Sequence, residues 1–210
     1  MHKNTPITVT IVTTLLLWFA MIPTCATADV TTTNSKEGEN AGNVSEYVMN
    51  AKKAEGRLDY NDAVAWYQKA AELGDAQSMN ELGWIYFGAH DIPGRKLQDY
   101  SKAVVWFQKS ADLNFIPAIT QLGIMYNSDG SFGVPEDHVK AAKLFQKAAQ
   151  AGNAQAMDNL GVLYGQGKGV SQDIDKAVYW WKKAVETDGN GPSGKAAQSW
   201  LDLRNGKPIF

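Results

Sequence analysis

Between residues 44 and 204 apolar residues return with the period of an α-helix, and the whole pattern returns again every 36 to 40 residues. The segment Trp66-Tyr67-Gln68-Lys69-Ala70-Ala71 recurs as Trp106-Phe107-Gln108-Lys109-Ser110-Ala111 and as Leu144-Phe145-Gln146-Lys147-Ala148-Ala149. A fourth copy reads Trp180-Trp181-Lys182-Lys183-Ala184-Val185. An alanine precedes each copy at Ala63, Ala103, Ala141 and Ala177, spaced by 40, 38 and 36 residues. A second pattern alternates with the first. Leu82-Gly83 with Tyr86 recurs as Leu122-Gly123 with Tyr126 and as Leu160-Gly161 with Tyr164, and a small residue stands four positions before each leucine. These positions share one helical face, and the glycine lets a neighbouring helix come close.

Each unit is therefore an A helix carrying the Leu-Gly pattern and a B helix carrying the aromatic pair. The loop between them absorbs the length differences: Tyr86 to Asp99 is 13 positions, Tyr126 to Asp137 is 11, and Tyr164 to Asp173 is 9. Asp59, Asp99, Asp137 and Asp173 each stand four residues before the repeat alanine, where an aspartate caps a helix start. Four acids in register do not require a metal. Gly74, Asn114, Gly152 and Gly189 follow the B helices and tolerate the left-handed backbone of a helix end. The spacing predicts an all-α fold, a right-handed α/α solenoid of about four helix-pair repeats. A lone helix over 195–204 closes it, since Ala197 and Leu201 repeat an A-helix start but Asp202 replaces the glycine.

This A/B pattern resembles the Sel1-like repeat family, a relative of tetratricopeptide repeats with a longer inter-helix loop. Residues 154–190 carry the pattern most fully, including Gly167, Gly169-Val170 and Gln172-Asp173. Residues 76–115 depart in the loop at Ile92-Pro93-Gly94, and residues 116–153 carry an Asp129 to Gly133 insertion. Residues 44–75 have a short turn at Leu58-Asp59-Tyr60 and resemble a plain tetratricopeptide repeat.

Upstream of the repeats, Lys3 and an apolar run from Ile7 to Ile22 precede Ala26-Thr27-Ala28, the pattern of a signal peptide over 1–28 cleaved before Asp29. An uncleaved anchor and lipidation at Cys25 are the rival readings of that leader. Residues 29–43 have little to bury and read as a disordered linker. A cleaved leader implies a periplasmic or secreted protein without membrane insertion. Its single cysteine, Cys25, leaves with the leader.

The formal net charge of −2, with no basic run, argues against nucleic acid as a partner. No catalytic or metal-binding residue and no cofactor is expected. His90 and His138 have no ligand partner at helical spacing. Gly165, Gly167 and Gly169 lack the Lys-Ser/Thr of a phosphate loop, and neither Ser101-Lys102 nor Ser193-Gly194-Lys195 has Ser-x-x-Lys spacing. The resemblance implies instead a scaffold that binds a protein or peptide on the concave A-helix face. With tetratricopeptide-like geometry that face exposes Gln77, Asn80, Trp84 and Phe87, then Thr120, Ile124 and Asn127, then Gln155, Asp158 and Val162. Trp84 has a second reading, as packing under its own unit's loop. A toxin-neutralising immunity protein is an alternative within the binding class, and a β-lactam-interacting envelope hydrolase is the alternative outside it.

Overall fold

A computed structural model describes residues 30–88 and 97–206, with side chains described from residue 39. The signal-peptide segment, His90 and the Ile92-Pro93-Gly94 loop lie outside the described residues. Within them the chain forms α1 (Val30–Gly56), α2 (Tyr60–Glu72), α3 (Ala76–Phe87), α4 (Tyr100–Asp112), α5 (Ile116–Asn127), α6 (His138–Gln150), α7 (Ala154–Gln166), α8 (Ile174–Asp188) and α9 (Pro192–Arg204). Residues 41–210 make one compact unit. There α3 packs on α4, α5 on α6 and α7 on α8, and each pair packs on the next, which is an all-α solenoid.

The linker reading of 29–43 is corrected from residue 30 onward, where the backbone is helical. Glu39 to Gly42 are exposed. A helix needs less than a core does. Ala51 and Ala54 are fully buried further along α1, and no proline interrupts the backbone ladder that extends from that packed half.

One contact repeats through the array and explains the Leu-Gly pattern. A Cβ on Gly83 would lie 2.6 Å from the Phe107 ring, one on Gly123 2.6 Å from Phe145, and one on Gly161 2.5 Å from Trp181. Optimal carbon contacts are about 3.5–4.0 Å. Only glycine lets the B-helix aromatic press directly against the A-helix backbone. Phe107 and Phe145 are fully buried and Trp181 nearly so.

The loops keep register by being tied at the far end. The amides of Asp99, Asp137 and Asp173 donate to the carbonyls of Tyr86, Tyr126 and Tyr164 at 2.8, 2.8 and 2.9 Å. The same aspartates, with Asp59, accept at their carboxylates from the amides of Lys102, Lys140, Lys176 and Asp62. Each of the three inter-helix loops, whatever its length, is thus closed by the same hydrogen bond between its ends. Lys102, Lys140 and Lys176 then lie over the Tyr86, Tyr126 and Tyr164 rings at 5.3, 3.9 and 5.3 Å.

Candidate functional site

On the A helices the outward face is a narrow stripe. Gln77, Glu81 and Trp84 keep solvent contact on α3, as does the capping Gly88 just beyond it, and Gln155, Asp158, Asn159, Val162 and Gln166 do so on α7. These positions recur at three- and four-residue steps, as one helical face must. Gln77 and Gln155 are exposed, and Trp84, Ile124 and Val162 are half-buried, so these expected binding residues do reach the surface.

Two do not. Asn80 is 4% and Thr120 2% exposed, contrary to the expectation that they line an open face. At 100° per residue each lies about 60° round its helix from the centre of the stripe, which puts it on the buried flank. The Thr120 hydroxyl is spent on the Ile116 carbonyl at 3.1 Å. Phe87 and Asn127 lie further round the same side, are half-buried as Trp84 is, and are engaged within the protein. Phe87 packs on Tyr100 and on Phe132, with ring centres 5.4 and 5.0 Å apart, so the loop insertion of one unit reaches back to the unit before it. The Asn127 side-chain oxygen sits 2.9 Å from His138 Nδ1, while His138 Nε2 pairs with Glu136 at 2.8 Å. That histidine packs the loop. Trp84 itself stands edge-on to Phe107 at 5.5 Å and to Phe87 at 5.7 Å, half in the core and half at the surface.

Asp158 occupies the register of Asn80 and Thr120, two units and one unit on respectively, yet it stays partly exposed. One carboxylate oxygen is shut off from solvent with no hydrogen-bond partner among the described residues. Burial pushes its pKa up to about 6. A carboxyl raised above its unfolded value near 3.9 stabilises the fold when protonated, and that contribution is lost as pH rises through the folded value. The melting temperature should therefore rise between pH 7 and pH 5 by more in the wild type than in Asp158→Asn. Parallel melting curves across that range would contradict it. A second acidic site lies at the other end, where Glu81 is pushed up by burial first and then by Glu55. Burial, followed by Glu55 and Glu81, likewise raises the Tyr67 hydroxyl.

Sequence reasoning missed the end of the stripe. Leu203 stands two residues after Leu201, as Trp84, Ile124 and Val162 stand two after Leu82, Leu122 and Leu160. It extends the same column onto α9. Between Val162 and Leu203 opens a cleft of about 220 Å³, lined also by Gly165, Gln166, Ile174, Trp181, Trp200 and Arg204. Trp200 stacks on Trp181, 9° from parallel and 5.8 Å between centres. Helix α9 buries Gly194 and Ala197 against the array but leaves Trp200 37% and Leu203 53% exposed. It closes the stack and shapes an opening in it.

Among the described residues no cluster of three or more histidine, cysteine or acidic side chains could hold a metal ion, and no helix is long and apolar enough to cross a membrane. The geometry is that of a repeat surface. The family model for the Sel1 repeat matches residues 55–75, 76–115, 116–153 and 154–186. The chain belongs to the Sel1 repeat family. Its first unit, read from the sequence as tetratricopeptide-like, is matched as a Sel1 repeat over its α2 half. Its departure is the short α1–α2 turn, with Leu58 at φ 60°.

Solved Sel1 structures agree with the fold. A protective antigen of uropathogenic Escherichia coli strains that displays an SLR fold is 27% identical, with a TM-score of 0.67 over 84% of this chain. The chain spans 37% of that antigen's length. A Sel1 repeat protein from Oxalobacter formigenes is 30% identical, with a TM-score of 0.53, covering 64% of this chain and 96% of its own. No curated protein matches the chain in sequence. Sel1 repeats form protein-interaction scaffolds.

Proposed function

We propose that this Sel1 array is an exported adaptor, acting in the periplasm or after secretion, that holds a protein segment along its concave A-helix face. The observation that carries the reading is the surface column Trp84, Ile124, Val162 and Leu203, flanked by Gln77, Gln155 and Asp158. It repeats in register across four consecutive A-type helices. A periodic surface suits an extended segment or a helix, whose own side chains are periodic. Its mix of amide, carboxyl and apolar groups, with Arg204 at one end and no basic cluster, fits a polypeptide better than a phosphate backbone. The leader at 1–28 supports export.

Introducing charge on this face tests the proposal without touching the core. Gln77→Arg, Gln155→Arg and Gln166→Arg replace exposed side chains, so the melting temperature should stay within about 2 °C, as surface changes of under about 0.5 kcal/mol imply. Capture of the natural partner from an envelope extract should fall at least ten-fold for the triple variant. Undiminished capture by a folded triple variant would remove the face from consideration.

A further inference from the structure

Three of the large apolar residues that this chain leaves exposed, Ile174, Trp200 and Leu203, meet at one place, the cleft between α7, α8 and α9. Scattered apolar residues on a surface need no explanation, but a concentration around a concavity marks a binding position. The outer groove between α2 and α4 is different in kind. There Lys102 and Lys109 already lie over the Tyr86 and Trp106 rings, and Lys102 also pairs with Asp99.

The cleft's size limits what enters it. At about 220 Å³ it is smaller than the roughly 300–1,000 Å³ of a drug-sized pocket, and it suits one large side chain rather than a whole small molecule. Its walls are set before anything binds. The Trp181 ring is held between α7 and α8 with its outer edge 3.4 Å from where a Gly165 Cβ would be, and Trp200 lies flat against it. Rigid aromatic walls order few side chains on binding, which is why such positions dominate interfaces. One lining residue is charged. Arg204 has no ion-pair partner among the described residues. Its planar fork matches a carboxylate in two parallel hydrogen bonds.

Resting on the adaptor reading above, we propose that this cleft is the anchor subsite of the binding face. It takes one aromatic side chain of a partner's extended segment that carries a carboxylate within two residues of that ring. The ring enters between Val162 and Leu203 against the tryptophan pair, and the carboxylate meets Arg204. Val162 and Leu203 belong to the repeating column, so a segment anchored here continues onto α7 and α5.

The test uses the whole protein and two octapeptides of glycine and serine. One carries a phenylalanine and, two residues on, a glutamate; the other has lysine in place of the glutamate. Binding is read from the indole N–H resonances of Trp181 and Trp200, assigned by tryptophan-to-phenylalanine variants. The glutamate peptide should shift both resonances saturably and bind at least five-fold tighter than the lysine peptide. Arg204→Glu should invert that order, and Leu203→Glu should abolish binding of either; both sit on the last turn of α9 and leave the core intact. Equal affinities, an unchanged order in Arg204→Glu, or absence of shifts overturns the proposal. So does a concentration-dependent dimer that Leu203→Glu dissolves, which makes a second copy the occupant. A ten-fold gain in peptide affinity on removing residues 207–210 also overturns it, because that segment is then the occupant. Gln77→Arg separates the two claims, since it should leave octapeptide binding unchanged while weakening capture of the natural partner. Partner capture sensitive to Gln77→Arg with no octapeptide binding defeats the cleft alone. Octapeptide binding with capture indifferent to all face variants defeats the adaptor reading.

Discussion

Gly161→Ala destabilises the array by about 1–2 kcal/mol, while Gly165→Ala, one turn further along the same helix and facing the same tryptophan, is neutral or stabilising. Alanine is ordinarily the better helix residue by about 1 kcal/mol. At Gly161 that gain is outweighed, because the new methyl would lie 2.5 Å from Trp181 Nε1 and 2.6 Å from its Cδ1. Overpacking of this kind costs about 1–3 kcal/mol. The indole cannot retreat easily, since Trp200 is stacked on it. At Gly165 the nearest indole atom would be 3.4 Å from the methyl, an ordinary contact. The two variants should differ by about 1–3 kcal/mol, or roughly 2–12 °C in melting temperature for a chain of this size. Gly123→Ala belongs with Gly161→Ala and lies at the costly end, because Phe145 is wholly buried. Denaturant or thermal unfolding of the three variants decides the matter. Equal responses at 161 and 165 would show that the aromatic contact does not require the glycine.

Phe145→Ala should carry the largest single cost, about 3–5 kcal/mol, the range for emptying a buried phenylalanine site. Its ring lies on Gly123 in the middle of the array, so its loss loosens the α5–α6 pair. In a stack where each unit touches only its neighbours, a weak central unit separates the ends. Unfolding followed by α2 and α8 tryptophans should then split into two transitions where the wild type shows one. A double-variant cycle sharpens the test. Gly123→Ala should cost less on a Phe145→Leu background than alone, because the two changes share one space. Additive costs would contradict direct packing between them.

Much of this architecture was legible because its signals repeat. A glycine needed three times opposite an aromatic, and an aspartate needed four times at a helix start, appear as spacing in the chain before any coordinate is known. The repeats also expose their own extension: the offset from Leu82 to Trp84 places Leu203 on the surface column. That register was legible despite Asp202 in the glycine place, but the cleft was not, because it depends on how α9 packs beside α7 and α8. Other features have no local signature. Whether Asn80 faces solvent or the core turns on about 60° of helix rotation, which packing between units decides. The contact of Phe132 with Phe87 joins residues 45 positions apart through a loop insertion unique to its unit. The helical start of α1 was missed because low apolar content predicts the absence of a core, which is a different matter from the absence of a helix.

The central claim is that the partner lies on the A helices, and crosslinking from single positions tests it most directly. A photoreactive residue placed at Gln155, exposed on α7, should give a discrete covalent adduct with the partner in an envelope extract. The same residue at Gln146, exposed on the B helix α6, should give none. An adduct from position 146 with none from 155 would place the partner on the outer helices and contradict the account.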